Sequence, residues 1–173
     1  KGITRTYSTT TTTGAGGGWG NDQIDVVRNT HGNFPGDEYL NVYIVAFADG
    51  AAGYTMLPSN FLAQSMNNGI ILQHSYLGRT GTGSLNRSRA LTHEIGHWLN
   101  LKHVWGDGNT PAQSGNCSDD DGVDDTPNSL GHTSCALTAN TCSNESSYFN
   151  GSNPIDNVEN YMEYSYCSKM FTD

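Results

Sequence analysis

Two histidines and a glutamate stand close together in the run His93-Glu94-Ile95-Gly96-His97. Residues four apart on a helix share a face, so both imidazoles can reach one ion, and Glu94, one position along, meets a water on that ion from the side. The residue types suit zinc: neutral imidazole is a good ligand for a borderline-soft dication, and a carboxylate can accept a proton from a bound water. The bland alternative is a surface helix that happens to carry two histidines. Glu94 at the second position and a third histidine nearby, His103, weigh against it. A zinc ion held by three neutral imidazoles keeps one position open, and the water there becomes a nucleophile near neutral pH. Glu94 is then placed as the general base that takes a proton as that water attacks an electrophile, and can return it to a leaving group.

These side chains need a helix, and the helix needs a support. From Ala90 the positions Leu91, Ile95, Trp98 and Leu99 recur at helical spacing until Asn100, with a start near Ser84 to Ser88. Tyr39 to Phe47 is the clearest strand, dense in β-branched and aromatic residues. One alternate face, Leu40, Val42, Ile44 and Ala46, is wholly apolar and the other largely so, which predicts a strand covered on both sides. Gly69 to Gln73 reads as a second strand and Gly78 to Ser84 as a Gly/Thr-rich connection. Residues 1–13 are Thr- and Ser-rich strand or coil, a glycine-rich loop follows at Gly14 to Gly20, and Asp22 to Arg28 is a short helix or a short strand. Beyond Trp105 the chain is mostly turn formers for some fifty residues, and a loop of that length needs binding or cross-linking to offset its ordering cost.

Both kinds of support are at hand. Asp119, Asp120, Asp121, Asp124 and Asp125 crowd into one stretch, and Asp121, Asp124 and Thr126 offer oxygen ligands of the kind calcium takes from irregular loops. The alternative is a solvated acidic loop. Four cysteines, all in the C-terminal third, can form two bridges in three possible pairings, which points to an oxidising compartment. A net charge of −9 without a basic cluster argues against nucleic acid or an anionic membrane as partner. A chain of 173 residues fits one domain, expected as a monomer, and it holds no apolar run of membrane-spanning length. Its start at Lys1 without Met is expected of a processed, zymogen-derived product. His31, His74 and His132 are read as ordinary, and the glycosylation triplet Asn86-Arg87-Ser88 as chance.

The extended run from His93 to His103 resembles the long zinc motif of the metzincins, in which the helix stops at a sharp turn and the third histidine swings back to the metal. That turn is usually Gly at positive φ; here it is Asn100, the residue that best tolerates left-handed geometry after Gly. Asn160-Tyr161-Met162-Glu163-Tyr164 resembles the metzincin methionine turn, with Met162 as apolar floor and Tyr164 able to aid oxyanion stabilisation beside the zinc. The finer resemblance is to the pappalysin family, its bacterial secreted cytophagalysin-like branch. It rests on Gly2-Ile3-Thr4-Arg5-Thr6, Tyr39-Leu40-Asn41-Val42, Gly69-Ile70-Ile71-Leu72, Trp105-Gly106-Asp107, Asp124-Asp125-Thr126-Pro127, and Asn160-Tyr161-Met162 followed by Cys167 and Met170-Phe171-Thr172.

The resemblance implies an α+β metzincin-type catalytic domain with a small mixed sheet, an active-site helix and a loop-rich, disulfide-linked C-terminal subdomain. An upper subdomain, 1–103, would carry the zinc helix and an irregular lower one, 104–173, the methionine turn. Helices that flank the family's domain are expected to be missing. The resemblance further implies bridges Cys117–Cys142 and Cys135–Cys167, calcium near the aspartates, and Gly69 to Gln73 as an edge strand that aligns substrate. The expected activity is that of a secreted, extracellular zinc endopeptidase, hydrolysing peptide bonds in proteins through a zinc-bound water activated by Glu94. Two rivals stand beside it. A gluzincin-type site would take its third ligand from Glu145 or Glu159, and a catalytically silent module would use metal only to hold its fold.

Overall fold

The β-branched run inside Tyr39 to Phe47 forms strand β1, Val42–Val45; Gly53–Thr55 forms β2 and Ile70–Gln73 forms β3. The computed structural model describes residues 32, 34–36, 38–48, 50–58, 69–143 and 149–172. The readings for 1–28, His31 and Glu145 lie outside the described residues. The chain divides after Trp98 into two compact units, Lys1–Trp98 and Leu99–Asp173.

In the first unit, the sheet order is β1-β3-β2, with β1 parallel to β3 and β2 antiparallel to it. Ile71 of β3 is the hinge of the register, opposite Tyr43 on one side and Tyr54 on the other. These residues, with Val45, Ala48 and Met56, make the apolar cluster. Two expectations are corrected here. Val42 and Ile44 are exposed at 37% and 45%, and the buried side of β1 is carried by Tyr43 and Val45. In a run that is apolar at almost every position, residue type does not say which side of the pleat meets the core. Gly69 to Gln73 is not an edge either: β3 has a neighbour on both sides, and Ile70, Ile71 and Leu72 are fully buried.

The helix, α1, runs from Ala90 to Trp98 and packs against β2 and β3. Its most buried residues are His93, Glu94 and Gly96, while Leu99 just beyond it is 61% exposed. The most buried side chains of this helix are therefore polar, while its apolar residues Leu91, Ile95 and Trp98 are half-buried. Gly53 makes room for it: a Cβ there would come within 3.2 Å of the Glu94 Cγ and 2.8 Å of the Ile71 carbonyl oxygen. A 3-10 turn at Leu85–Arg87 precedes the helix, and Arg87 lies over the Tyr76 ring at 5.0 Å.

The second unit has little regular structure among the described residues, a 3-10 turn at Ser114–Ser118 apart. Its core is Val104, Trp105 and Met162, with Leu101 packed against them. Side chains take over the work of ladders. Asn116 Nδ2 donates to the carbonyls of Thr110 and Leu130, Ser165 Oγ donates to that of Val158, and Met162 N donates to Asn160 Oδ1. Cys117 is bonded to Cys142 and Cys135 to Cys167, across 25 and 32 positions of sequence. Each such closure removes about 3–4 kcal/mol of unfolded-chain entropy in the loop-closure account.

Asn100 follows the helix at φ 75°, in the left-handed region. An L-residue without Asn's local hydrogen bonding pays about 1–2 kcal/mol for that geometry, and a β-branched one more. Asn100→Gly is expected to match the parent in urea denaturation, whereas Asn100→Val loses at least that amount. A valine variant as stable as the parent would show that the turn does not depend on residue 100.

Candidate active site

On α1 the four-residue spacing brings the Nε2 atoms of His93 and His97 to 3.0 Å, with the rings edge to face at 4.6 Å. Two imidazole lone pairs cannot face each other at that distance without a proton or a cation between them. Glu94 lies beside them at 5% exposure, and burial pushes its carboxyl up to about 8. The ligand atoms of His93, His97 and His103 all lie within 4.8 Å of one another. Three imidazoles at this separation fit the donor set of a catalytic zinc site, which uses three protein ligands and leaves a position open.

His103 sits in a rigid setting of its own. It is 3% exposed, its Nδ1 is 2.9 Å from the Gly108 carbonyl oxygen, and its ring stacks on Trp105 at 4.4 Å with the planes 1° apart. Tyr164 meets both rings edge-on at 4.9 Å. The chain reverses directly after His103: Gly106 has φ 96° and its N–H donates to the His103 carbonyl at 2.9 Å. A side chain at Gly106 would run into Asp119, whose carboxylate accepts from Asp107 N and Asp120 N. Met162 is 3% exposed and packs with Val104 and Trp105.

Of the acidic loop, Asp121 Oδ1 accepts from Val123 N, and Thr126 is buried with its hydroxyl 3.0 Å from that of Thr172. Burial pushes the Asp121 carboxyl up to about 6, against hydrogen bonds from Val123 and Thr126 that lower it. Asp124 is exposed. Glu159, one of the alternative third ligands, pairs with Lys169 Nζ at 2.7 Å.

Comparison with known proteins gives a consistent picture. The sequence profile of the family described as pregnancy-associated plasma protein-A matches residues 21–173. An extracellular metalloprotease of Arthroderma benhamiae is 30% identical over 139 residues, 77% of this chain and 46% of that protein. One from Verticillium alfalfae is 29% identical over 161 residues, 89% of this chain and 53% of that protein. Among solved structures, mature mirolysin of Tannerella forsythia in complex with a cleaved peptide gives a TM-score of 0.61 at 30% identity, over 78% of this chain and 48% of that one. A promirolysin mutant of the same organism gives 0.69 at 30% identity, over 87% and 48%. The chain spans about half the length of the relatives it matches.

Sequence reasoning passed over Glu163 and His132. Glu163, next to Met162, is 3% exposed; its Oε1 accepts from Tyr164 N at 2.9 Å and from His132 N at 2.8 Å. Its Oε2 is buried with no hydrogen-bond partner among the described residues. His132 Nε2 in turn lies 2.7 Å from the buried Asp156 carboxylate, which also accepts from the Thr141 hydroxyl at 2.6 Å. The only sequence signal was a carboxylate inside a buried turn, since the partners are up to 31 positions away.

Burial, with a smaller repulsion from Asp156, pushes the Glu163 carboxyl up to about 8, against hydrogen bonds from His132 and Tyr164 that lower it. The folded state therefore holds this proton to higher pH than the unfolded chain, whose carboxyl releases it near 4.5. The contribution to stability is complete below that value and is lost as pH rises towards 8. Replacing Glu163 with Gln, neutral at every pH, is expected to flatten this part of the profile, read from urea midpoints at pH 5 and pH 8.5. An unchanged difference between the two midpoints would mean the carboxyl is not the group responsible.

Proposed function

The chain belongs to the family described as pregnancy-associated plasma protein-A, and on that premise we propose that it is the catalytic part of a secreted zinc endopeptidase acting on proteins and peptides outside the cell. The observation that carries this reading is the convergence of His93, His97 and His103, with Glu94 buried on the helix that supplies the first two. His93, His97 and His103 would hold zinc, which supplies Lewis acidity to polarise a peptide carbonyl and to make water nucleophilic near neutral pH. Glu94 accepts the proton of the attacking water and passes it to the amide nitrogen as that nitrogen leaves as an amine. Its buried position keeps bulk water from competing for the proton, and a neighbouring dication would draw its raised pKa back down. Tyr164 stands edge-on to His103, and its hydroxyl would donate to the carbonyl oxygen as negative charge builds there. Met162 acts from beneath through packing alone.

The extracellular assignment draws support from the two disulfides and from relatives named extracellular metalloproteases. Among the described residues no helix is long and apolar enough to cross a membrane. Calcium bound by Asp121, Asp124 and Thr126 would order the acidic loop. What supports it is the supply of oxygen donors in a stretch without strands or helices, where Gly122 turns the chain at φ 80°.

The test of mechanism is Glu94→Gln. This variant is expected to retain one equivalent of zinc while hydrolysis of a denatured protein falls by at least about a hundredfold, the usual contribution of a general base. A chelator should abolish activity in the parent and zinc should restore it. Substantial activity in the glutamine variant, or in fully zinc-depleted protein, would defeat the proposal. For calcium, titration into chelator-treated protein is expected to raise the melting temperature without changing zinc content. A flat titration would return those aspartates to a solvated loop.

A further inference from the structure

The third histidine is held by something other than the turn that delivers it. A backbone carbonyl can only accept, so the 2.9 Å contact between His103 Nδ1 and the Gly108 oxygen places the ring proton on Nδ1 and the lone pair on Nε2. The same oxygen accepts a second hydrogen bond, at 2.7 Å, from the indole Nε1 of Trp105. Gly108 itself lies on an exposed stretch of chain, so this carbonyl gains little orientation from its own surroundings. Trp105 is the opposite: fully buried and the largest of the fully buried side chains. Gly131 at φ 82° leaves it room, since a Cβ there would meet the indole at 2.5 Å, and Tyr164 closes on it edge-on at 4.9 Å. The indole therefore holds the ligand in two ways. Its face lies flat on the imidazole and sets the ring plane, and its N–H anchors the acceptor that sets the tautomer.

We propose that Trp105 is a positioning residue for the metal centre, fixing His103 through the shared Gly108 carbonyl in the tautomer whose Nε2 can bind a metal. This rests on the reading of His103 as a zinc ligand. Groups that orient a ligating histidine are commonly worth 10–100-fold in metal affinity, and this one divides the task between a carbonyl that touches the ligand and an indole that touches the carbonyl.

The experiment must remove the N–H without removing the ring. Trp105→benzothienylalanine, placed at position 105 alone, exchanges the indole N–H for sulfur and keeps the stacking surface; Trp105→Phe is the simpler companion. Zinc affinity is read by competition with a chromophoric chelator, well below the melting temperature, on the whole protein as expressed. The His103 Nδ1–H signal is read in the zinc-loaded, histidine-labelled protein. The expected result is roughly tenfold weaker zinc binding in the benzothienyl variant, with faster exchange of the Nδ1–H proton with water. A role in packing alone predicts a lower melting temperature in the Phe variant and neither of these changes in the isostere. An isostere that binds zinc within twofold of the parent, or whose Nδ1–H proton is as protected as before, overturns the proposal. His103→Ala separates the two layers: if it too leaves zinc affinity unchanged, the reading of His103 as a ligand has failed, and the exchange measurement still decides whether Trp105 orders the ring.

Discussion

One helix can offer two imidazoles to an ion but not three. The spacing that puts His93 and His97 on one side of α1 carries the next residue on that side away from the same point, since the helix rises about 1.5 Å per residue. A third nitrogen has to come from a chain that has stopped being helical. Asn100 at φ 75° ends the helix, His103 follows, and Gly106 at φ 96° turns the chain a second time. The two turns are local and cheap, because one is Asn and the other Gly. Much of what surrounds them exists to keep this short segment in place: the Asp119 carboxylate under Gly106, the stack of Trp105 on His103, and Met162 in the core behind.

The same segment explains why so many polar groups are buried. The most buried residues of α1 are His93, Glu94 and Gly96, so the helix packs against β2 and β3 with polar side chains among its inward groups beside the half-buried Leu91, Ile95 and Trp98. In the second unit a carboxylate, Glu163, is buried beside the methionine, and Asp156 is buried beside His132. Charge makes this harder, because residues 99–173 carry eleven acidic side chains against two lysines, while residues 1–98 carry six of each sign. Raised carboxyl pKa values at Asp121 and Glu163 follow from burial, and nearby aspartates add to the effect at both. A unit with this composition and so little ladder hydrogen bonding needs covalent closure, and the two disulfides provide it.

The family and the fold class were legible because short motifs recur in a fixed order along nearly the whole chain. The zinc-motif helix was legible as well, since its histidine spacing and its apolar positions have the same period. Sidedness was not. Tyr39 to Phe47 is apolar on both sides of the pleat, and only the packing of Tyr43 and Val45 with Ile71 decides which side is inside. The place of β3 in the sheet was equally hidden, because β2 is only three residues long, Gly53-Tyr54-Thr55, too short to show an alternating pattern. Glu163, His132 and Trp105 were missed for a different reason. Their roles are set by partners in other loops, or by a backbone oxygen that carries no residue type.

The order of the cysteines has a consequence for survival among proteases. The bridges interleave: Cys135 lies inside the span closed by Cys117 and Cys142, and Cys142 lies inside that closed by Cys135 and Cys167. A single break anywhere between residues 117 and 167 therefore leaves both pieces covalently joined, by one bridge or by both. Two bridges placed side by side would leave a gap in which one cut severs the chain. A protease that nicks the exposed loops of this region thus sheds no fragment, and the damage stays invisible on a gel until a reducing agent is added.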